Sequence, residues 1–160
     1  MDVKSYDTDS WSTPQSIFDP LDKIFHFICD VCATIRNHKC ISYISPTNDA
    51  LNHSTEWGLV CWMNPPYSRG NIDKFMERAY LEYLGGKTIV CLVPPSLNGK
   101  WFNNYGVNGH IYTRLGRIKF INPLTGNYGR NPRGDNILIV FGEDKTEELK
   151  NIGWIKINGD

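Results

Sequence analysis

The segment Cys61-Trp-Met-Asn-Pro-Pro-Tyr-Ser-Arg-Gly70 places an amide, a proline pair and a phenol at the end of an apolar run. Neither proline has a backbone N–H, and each ring fixes φ, so the carbonyls between Asn64 and Tyr67 are held at set angles. Pro66 also keeps Pro65 extended, because a residue before proline avoids the helical region. The side-chain oxygen of Asn64 and the backbone carbonyl of Pro65 then form two acceptors on one rim. Such a pair can take both hydrogens of an amide or exocyclic NH2 group. That draws the nitrogen lone pair out of conjugation and presents it to an electrophile. Tyr67 follows at once and offers a ring on which a flat base can stack. A rigid strand-ending turn would use the same residue types, so the neighbouring elements must decide between a turn and a pocket rim.

Those elements alternate between helix and strand signals. "STPQSIFDPLDKIFHF" starts a helix, with Thr13 expected as N-cap and Pro14 at the first helical position. Ile17, Phe18, Leu21, Ile24 and Phe25 recur at helical spacing, and Pro20 should kink this helix or restart it with Asp19 as a second cap. "FHFICDVCA" reads as a short buried strand, and "LVCWM" as a second one running into Asn64. "NIDKFMERAYLEYLGG" is the clearest helix: Ile72, Phe75, Met76, Ala79, Tyr80, Tyr83 and Leu84 share one face, and Gly85 and Gly86 stop it. "KTIVCLVPP" is a third buried strand, and "HIYTRL", "RIKFI" and "NILIVFG" read as further strands. Short apolar strands alternating with amphipathic helices predict an α/β fold, a mostly parallel sheet with helices on both faces. Ligands in such sheets sit beyond the carboxyl ends of the strands. Asp30-Val-Cys-Ala33, Asn64 to Tyr67 and Pro94-Pro-Ser96 should therefore cluster along one edge.

The totals constrain the rest. The 160 residues suit a single domain, and 41% hydrophobic content supports a real core. No window holds the roughly 18 apolar residues a membrane span needs. "MDVKSYDTDSW" lacks the charged-then-apolar pattern of a secretory signal, so a cytosolic protein is expected. With 17 basic and 17 acidic residues the net charge is zero, which argues against a purely electrostatic nucleic-acid binder. The segment from Arg114 to Arg133 nevertheless holds Arg114, Arg117, Lys119, Arg130 and Arg133 and no acid, a local basic surface. The five cysteines read as reduced thiols. Cys29, Cys32, His38 and Cys40 can be drawn as a zinc site, but Cys29 lies in an apolar run where cysteine behaves as a small hydrophobe, so no metal is expected. His26, His38, His53 and His110 show no spacing that suggests a metal or catalytic pair.

The order of these motifs resembles the phage-type DNA N6-adenine methyltransferase (Dam) family, which uses S-adenosylmethionine. The likeness rests on "WSTPQSIFDPLDKIFHFICDVCA", "KCISYISPTNDAL", "WMNPPYS" with its following helix, "VCLVPPSLNGKWF" and "GRIKF" before the last strand, from about Trp11 to Phe141. It implies a three-layer α/β/α Rossmann-like methyltransferase fold, with a mostly parallel central sheet and an antiparallel strand near the C-terminus. It also implies a single domain over residues 1–160, with short DNA-recognition insertions at about 96–110 and 114–136. Trp11, Thr13 and Pro14 are similar to the motif that holds the methionine end of the cofactor, and a helix N-terminus does favour a carboxylate. Asp30 and Ala33 stand where the family places its first cofactor motif, although "DVCA" replaces the glycine-rich loop found in many methyltransferases. Asp30 would accept from the cofactor's amino group or from nearby backbone. Asp49 resembles the acid that reads the cofactor's adenine, while "KCISYIS" offers no acid for the ribose.

The chemistry implied is direct methyl transfer to N6 of an adenine turned out of the duplex, leaving S-adenosylhomocysteine and needing no metal. Asn64 and Pro65 would hold N6, Pro66 would fix the rim, Tyr67 would stack on the base, and Asn64 would also border the cofactor. DNA contacts are expected from Arg69, from Lys100 with Trp101, and from Arg117, Lys119, Arg130 and Arg133. No membrane partner is expected, and the site of action would be the cytoplasm of a bacterial host if a phage or prophage encodes the chain. Two other readings fit parts of the pattern. One is methylation of a protein glutamine or an RNA base by the same rim. The other is an inactive domain that only binds nucleic acid.

Overall fold

The computed structural model describes residues 11–68, 70–128 and 135–159. Arg69, Arg130 and Arg133, expected at DNA, lie outside the described residues. Seven strands form one sheet: β1 (Cys29–Asp30), β2 (Ser42–Tyr43), β3 (Val60–Met63), β4 (Thr88–Val93), β5 (His110–Thr113), β6 (Ile137–Phe141) and β7 (Ile155–Lys156). Their order is β2-β1-β3-β4-β6-β5-β7. The β2-β1-β3-β4 half is parallel, and β6 then pairs antiparallel with both β4 and β5. The described helices are α1 (Gln15–Phe25), α2 (Asn71–Leu84), α3 (Lys100–Asn104) and α4 (Thr146–Asn151).

The strand period of two sorts the core into two layers. On one face Cys61, Met63, Ile89, Cys91, Val93, Ile137 and Ile139 pack under α2 and α3, through Ile72, Met76, Ala79, Trp101 and Phe102. On the other, Trp62, Val90, Leu92, Leu138 and Val140 pack against Ile17, Phe18 and Leu21 of α1 and Leu149 of α4. Helices on both faces of the sheet are what the alternating pattern predicts, and the three layers are consistent with the Rossmann-like methyltransferase fold that the resemblance implies. No helix among the described residues is long and apolar enough to cross a membrane.

Several local expectations are corrected. Pro14, not Thr13, is the residue before the first helical turn; its carbonyl accepts from the N–H groups of Ile17 and Phe18. The Thr13 hydroxyl is engaged elsewhere, as described below. Helix α1 runs through Pro20 without a second cap. Only the bond to the Ser16 carbonyl is lost, and Ser16 is exposed, so water can replace it. The run "FHFICDVCA" gives only two strand residues, because the helix extends to Phe25 and His26 turns the chain in the left-handed region at φ 56°. "RIKFI" is no sheet strand. Ile118 and Phe120 alternate inward, but Ile121 pairs only through single bridges to Ser12 and Tyr128. On α2, Leu84 is exposed and Arg78 is buried in its place.

Candidate active site

Parallel pairing brings the carboxyl ends of β1, β3 and β4 to one edge. Asp30 stands beside Trp62, and Met63 beside Cys91, so Asn64 emerges one residue past this row. Its Nδ2 donates to Thr13 Oγ1 at 3.0 Å. Thr13 is buried, and this contact explains why its hydroxyl does not cap α1. Asn64 Oδ1 is buried and accepts no hydrogen bond among the described residues. Leaving such an oxygen unpaired costs about 1–3 kcal/mol, so its place here needs a reason beyond folding.

Trp11, Thr13, Asp30 and Asn64 line one recess, together with Ser12, Cys32, Asn37, Lys39 and Trp62. Asp30 organises its floor. Oδ1 accepts the Cys32 N–H at 3.2 Å, and Oδ2 accepts the Lys39 N–H at 3.0 Å. One carboxyl thus ties both ends of the 32–39 loop. Of the two partners expected for Asp30, nearby backbone is the one observed. Burial pushes this carboxyl up to about 6, against the pull of the two N–H groups and of the Lys39 and His38 charges. Burial lowers the pKa of Lys39, with Asp30 and Asp19 opposing, and its Nζ donates to Gln15 Oε1 at 2.5 Å on the first turn of α1.

The other residues expected at the cofactor do not line this recess. Pro14 caps α1 next to it. Ala33 is buried, and its N–H donates to the Ile44 carbonyl, extending the β1–β2 pairing. Asp49 is exposed at φ 53°, and its Oδ1 accepts the Leu51 N–H at 3.0 Å.

Pro65 is buried, Pro66 is half-buried, and Tyr67 packs its ring on the α2-side core. The tyrosine hydroxyl donates to the Leu92 carbonyl at 2.8 Å and accepts from Asn136 Nδ2 at 2.9 Å. Strand β4 therefore meets the motif through Leu92.

Of the described DNA candidates, Lys100 is exposed at the start of α3 and Lys119 is exposed beyond β5. Arg117 is exposed and paired with Asp135 at 2.8 Å. Trp101 belongs to the core beside Phe102, not to the surface. Arg114 lies over the Trp154 ring at 5.3 Å. Ser12 and Ile121 exchange both backbone hydrogen bonds at 2.8 Å, so the stretch before α1 and the basic segment are joined.

Sequence reasoning missed two buried polar residues. Asn136 is one; its signal was an asparagine directly preceding a continuously apolar run. Arg78 is the other. It donates to the carbonyls of Ala50, Asn52 and Thr55, pairs with Glu82 at 2.8 Å and lies over Trp57. Its signal was a charge at a core position of the α2 period. All five cysteines are free, and four are buried. Among the described residues no three His, Cys, Asp or Glu side chains form a metal-holding group.

The recess thus combines a carboxyl group, an ammonium group, amides, a hydroxyl and an indole at the strand ends, a donor set suited to a polar, charged small molecule. The chain matches the model of the DNA N-6-adenine-methyltransferase (Dam) family over residues 2–156. It is similar to the DNA N-6-adenine-methyltransferase of Haemophilus phage HP1, strain HP1c1, with 34% identity over 145 residues, covering 87% of this chain and 82% of the phage protein. It is also similar to the DNA N-6-adenine-methyltransferase of Escherichia phage T1, with 25% identity over 166 residues, covering 93% of this chain and 69% of that protein. A match across nearly the whole length decides the matter: the chain belongs to the DNA N-6-adenine-methyltransferase family.

Proposed function

We propose that the residues at the carboxyl end of β3 methylate N6 of an adenine turned out of DNA. Membership of the family makes the chain an adenine-specific DNA methyltransferase and implies S-adenosylmethionine as methyl donor. The observation that carries the assignment of residues is the buried Oδ1 of Asn64, which accepts no hydrogen bond among the described residues. Adenine offers only the two N6 hydrogens as donors on its base, and an amide oxygen at the rim is an acceptor for one of them. In this proposal the Pro65 carbonyl takes the other, Pro66 fixes its direction, and the Tyr67 ring supports the base. Thr13 holds the Asn64 amide so that its oxygen faces the incoming nitrogen.

S-adenosylmethionine, when bound, supplies an electrophilic sulfonium methyl group and leaves as S-adenosylhomocysteine. Trp11, Thr13 and Asp30, in the recess, would hold it, with Pro14, Ala33 and Asp49 as the outer residues of the site. Asp30 acts by fixing the 32–39 loop, since both its oxygens are engaged by backbone. No metal takes part in this scheme. Catalysis rests on positioning, which for well-oriented groups is worth up to roughly 7–11 kcal/mol. Lys100, Arg117 and Lys119, with Arg69, Arg130 and Arg133, neutralise phosphates or read base edges around the pocket. One domain carries both tasks, with recognition in the stretches near 96–110 and 114–136, and acts in the cytoplasm of a bacterial cell.

The test is to incubate the protein with S-adenosylmethionine and unmethylated genomic DNA and to read N6-methyladenine by long-read sequencing. Methylation at a short, constant sequence is expected. Methyl transfer to a protein or an RNA with none to DNA would overturn the proposal.

A further inference from the structure

A second buried amide oxygen in this region accepts no hydrogen bond among the described residues, and it belongs to Asn136. Asn136 is 8% exposed. It stands immediately before β6, and because Val93 pairs with Ile137 in antiparallel register, it lies beside Pro94, past the carboxyl end of β4. The reversal of β6 thus delivers a residue from the end of the Arg- and Asn-rich segment to the edge that carries Asn64 and Tyr67.

The hydrogen-bond network fixes which way this amide faces. The Leu92 carbonyl can only accept, so the single proton of the Tyr67 hydroxyl goes there. The tyrosine oxygen must then accept from Asn136, and only Nδ2 can donate. Oδ1 is left over as a buried acceptor. A leucine, with the same branching and no polar atoms, would avoid that cost, so the unpaired oxygen gives folding stability no reason for an asparagine here. Asp135, the preceding residue, holds Arg117, which places the same short backbone between an expected DNA contact and the ring expected to stack on the base.

We infer that Asn136 is a positioning residue for adenine methylation, acting through the Tyr67 hydroxyl to hold the ring where the base must stack. The inference rests on the adenine-methylation reading of Asn64 and Tyr67. With the amide in place, Tyr67 is tied on both sides, to β4 through Leu92 and to β6 through Asn136. Without it, the hydroxyl keeps its bond to the Leu92 carbonyl but loses its tie to β6, and the ring is held less firmly. A small misplacement of a positioning group lowers rate by about a hundredfold in unfavourable cases.

The test is a double-mutant cycle on methylation of unmethylated genomic DNA, with Asn136→Leu, Tyr67→Phe and the double variant. S-adenosylmethionine binding by calorimetry and thermal melting serve as controls. Asn136→Leu should lower kcat/KM for DNA by about 10- to 100-fold, leave cofactor affinity within about twofold and leave the melting temperature unchanged or raised. Tyr67→Phe should show a similar loss, and the double variant should be no worse than the worse single variant. Asn136→Asp adds a readout that a purely structural role would not move. Its protonated carboxyl can donate to the Tyr67 oxygen, so its activity relative to wild type should recover as pH falls. An active wild type with an unimpaired Asn136→Leu variant would overturn this inference alone, as would losses that multiply in the double variant. If Asn136→Leu fails to fold, an unimpaired Tyr67→Phe, or an Asn136→Asp profile parallel to wild type, overturns it equally. A wild type that methylates no DNA would overturn the adenine reading itself.

Discussion

At the scale of single residues, the Asn64 Oδ1 accepts no hydrogen bond among the described residues, and the proposed function gives that acceptor to the substrate. Among the described residues the Asn64 side chain has one hydrogen bond, from Nδ2 to Thr13. Asn64→Ala should therefore cost only about 1 kcal/mol of stability, while methylation falls at least about a hundredfold, in line with loss of a preorganised transition-state contact. Melting and radiolabelled methyl transfer on the same preparation would check this, and a parallel collapse of both would return the motif to the status of a stiff turn. Asp30 makes a second prediction, with a definite sign. Its folded pKa of about 6 lies above the ordinary 3.8, so the folded state favours the protonated form. The stability this contributes is complete below about pH 4 and is lost as pH rises through 6. Two units correspond to roughly 3 kcal/mol. Asp144 runs the other way, because hydrogen bonds from Thr146, Lys156 and Tyr112 hold its carboxyl low. The comparison of wild type with Asp30→Asn isolates the Asp30 part. Urea melts between pH 4 and 7 should show wild type losing stability relative to Asp30→Asn by about that amount, and parallel curves would count against the burial argument.

At the scale of elements, the loop between β2 and β3 is held from outside by one helix. Arg78 of α2 serves three of its carbonyls, and Lys87 shares Glu82 with it at 2.7 Å. Arg78→Met should cost about 3 kcal/mol, the scale of breaking a buried charged network, and should expose residues 49–57 to rapid amide exchange before the sheet opens. If that loop exchanges at the wild-type rate in the variant, Arg78 is not its clamp. The sequence announced α2, β3 and β4 clearly because each is a local pattern: a helical period, a short apolar run, a proline pair at a strand end. Asn64 and Asp30 were legible for the same reason, since strand ends in a parallel sheet share an edge. Asn136 and Arg78 were not, because their partners lie 69 and 23–28 residues away in the chain. "RIKFI" misled for a related reason. Its alternation is real, but it serves the packing of Ile118 and Phe120 under α1, not a ladder with the sheet. Helix α4 went unread because the acidic run "GEDKTEELK" hides a single buried residue, Leu149, and strand β7 because it has only two residues.

For the whole molecule, zero net charge and a nucleic-acid substrate must be reconciled. With 17 charges of each sign, net charge alone supplies no attraction to DNA, so binding depends on how the cations are distributed locally. Among the described candidates, Lys100 and Lys119 are exposed, while Arg117 shares its charge with Asp135. Lys119 lies two residues before Ile121, whose backbone bridge joins it to Ser12, so a phosphate held there would lie on the same unit as the wall of the proposed cofactor recess. Each phosphate neutralised contributes a slope of about −0.9 in log affinity against log salt. Lys119→Ala should weaken binding to an unmethylated duplex several-fold and reduce this slope by about 1, with no change in the sequence methylated. Arg117→Ala should change it less, because removing the arginine also releases Asp135. Anisotropy titrations from roughly 50 to 200 mM salt span the range in which such slopes are resolved. An unchanged slope for Lys119→Ala would remove Lys119 from the proposed DNA surface and leave the remaining candidates to carry it.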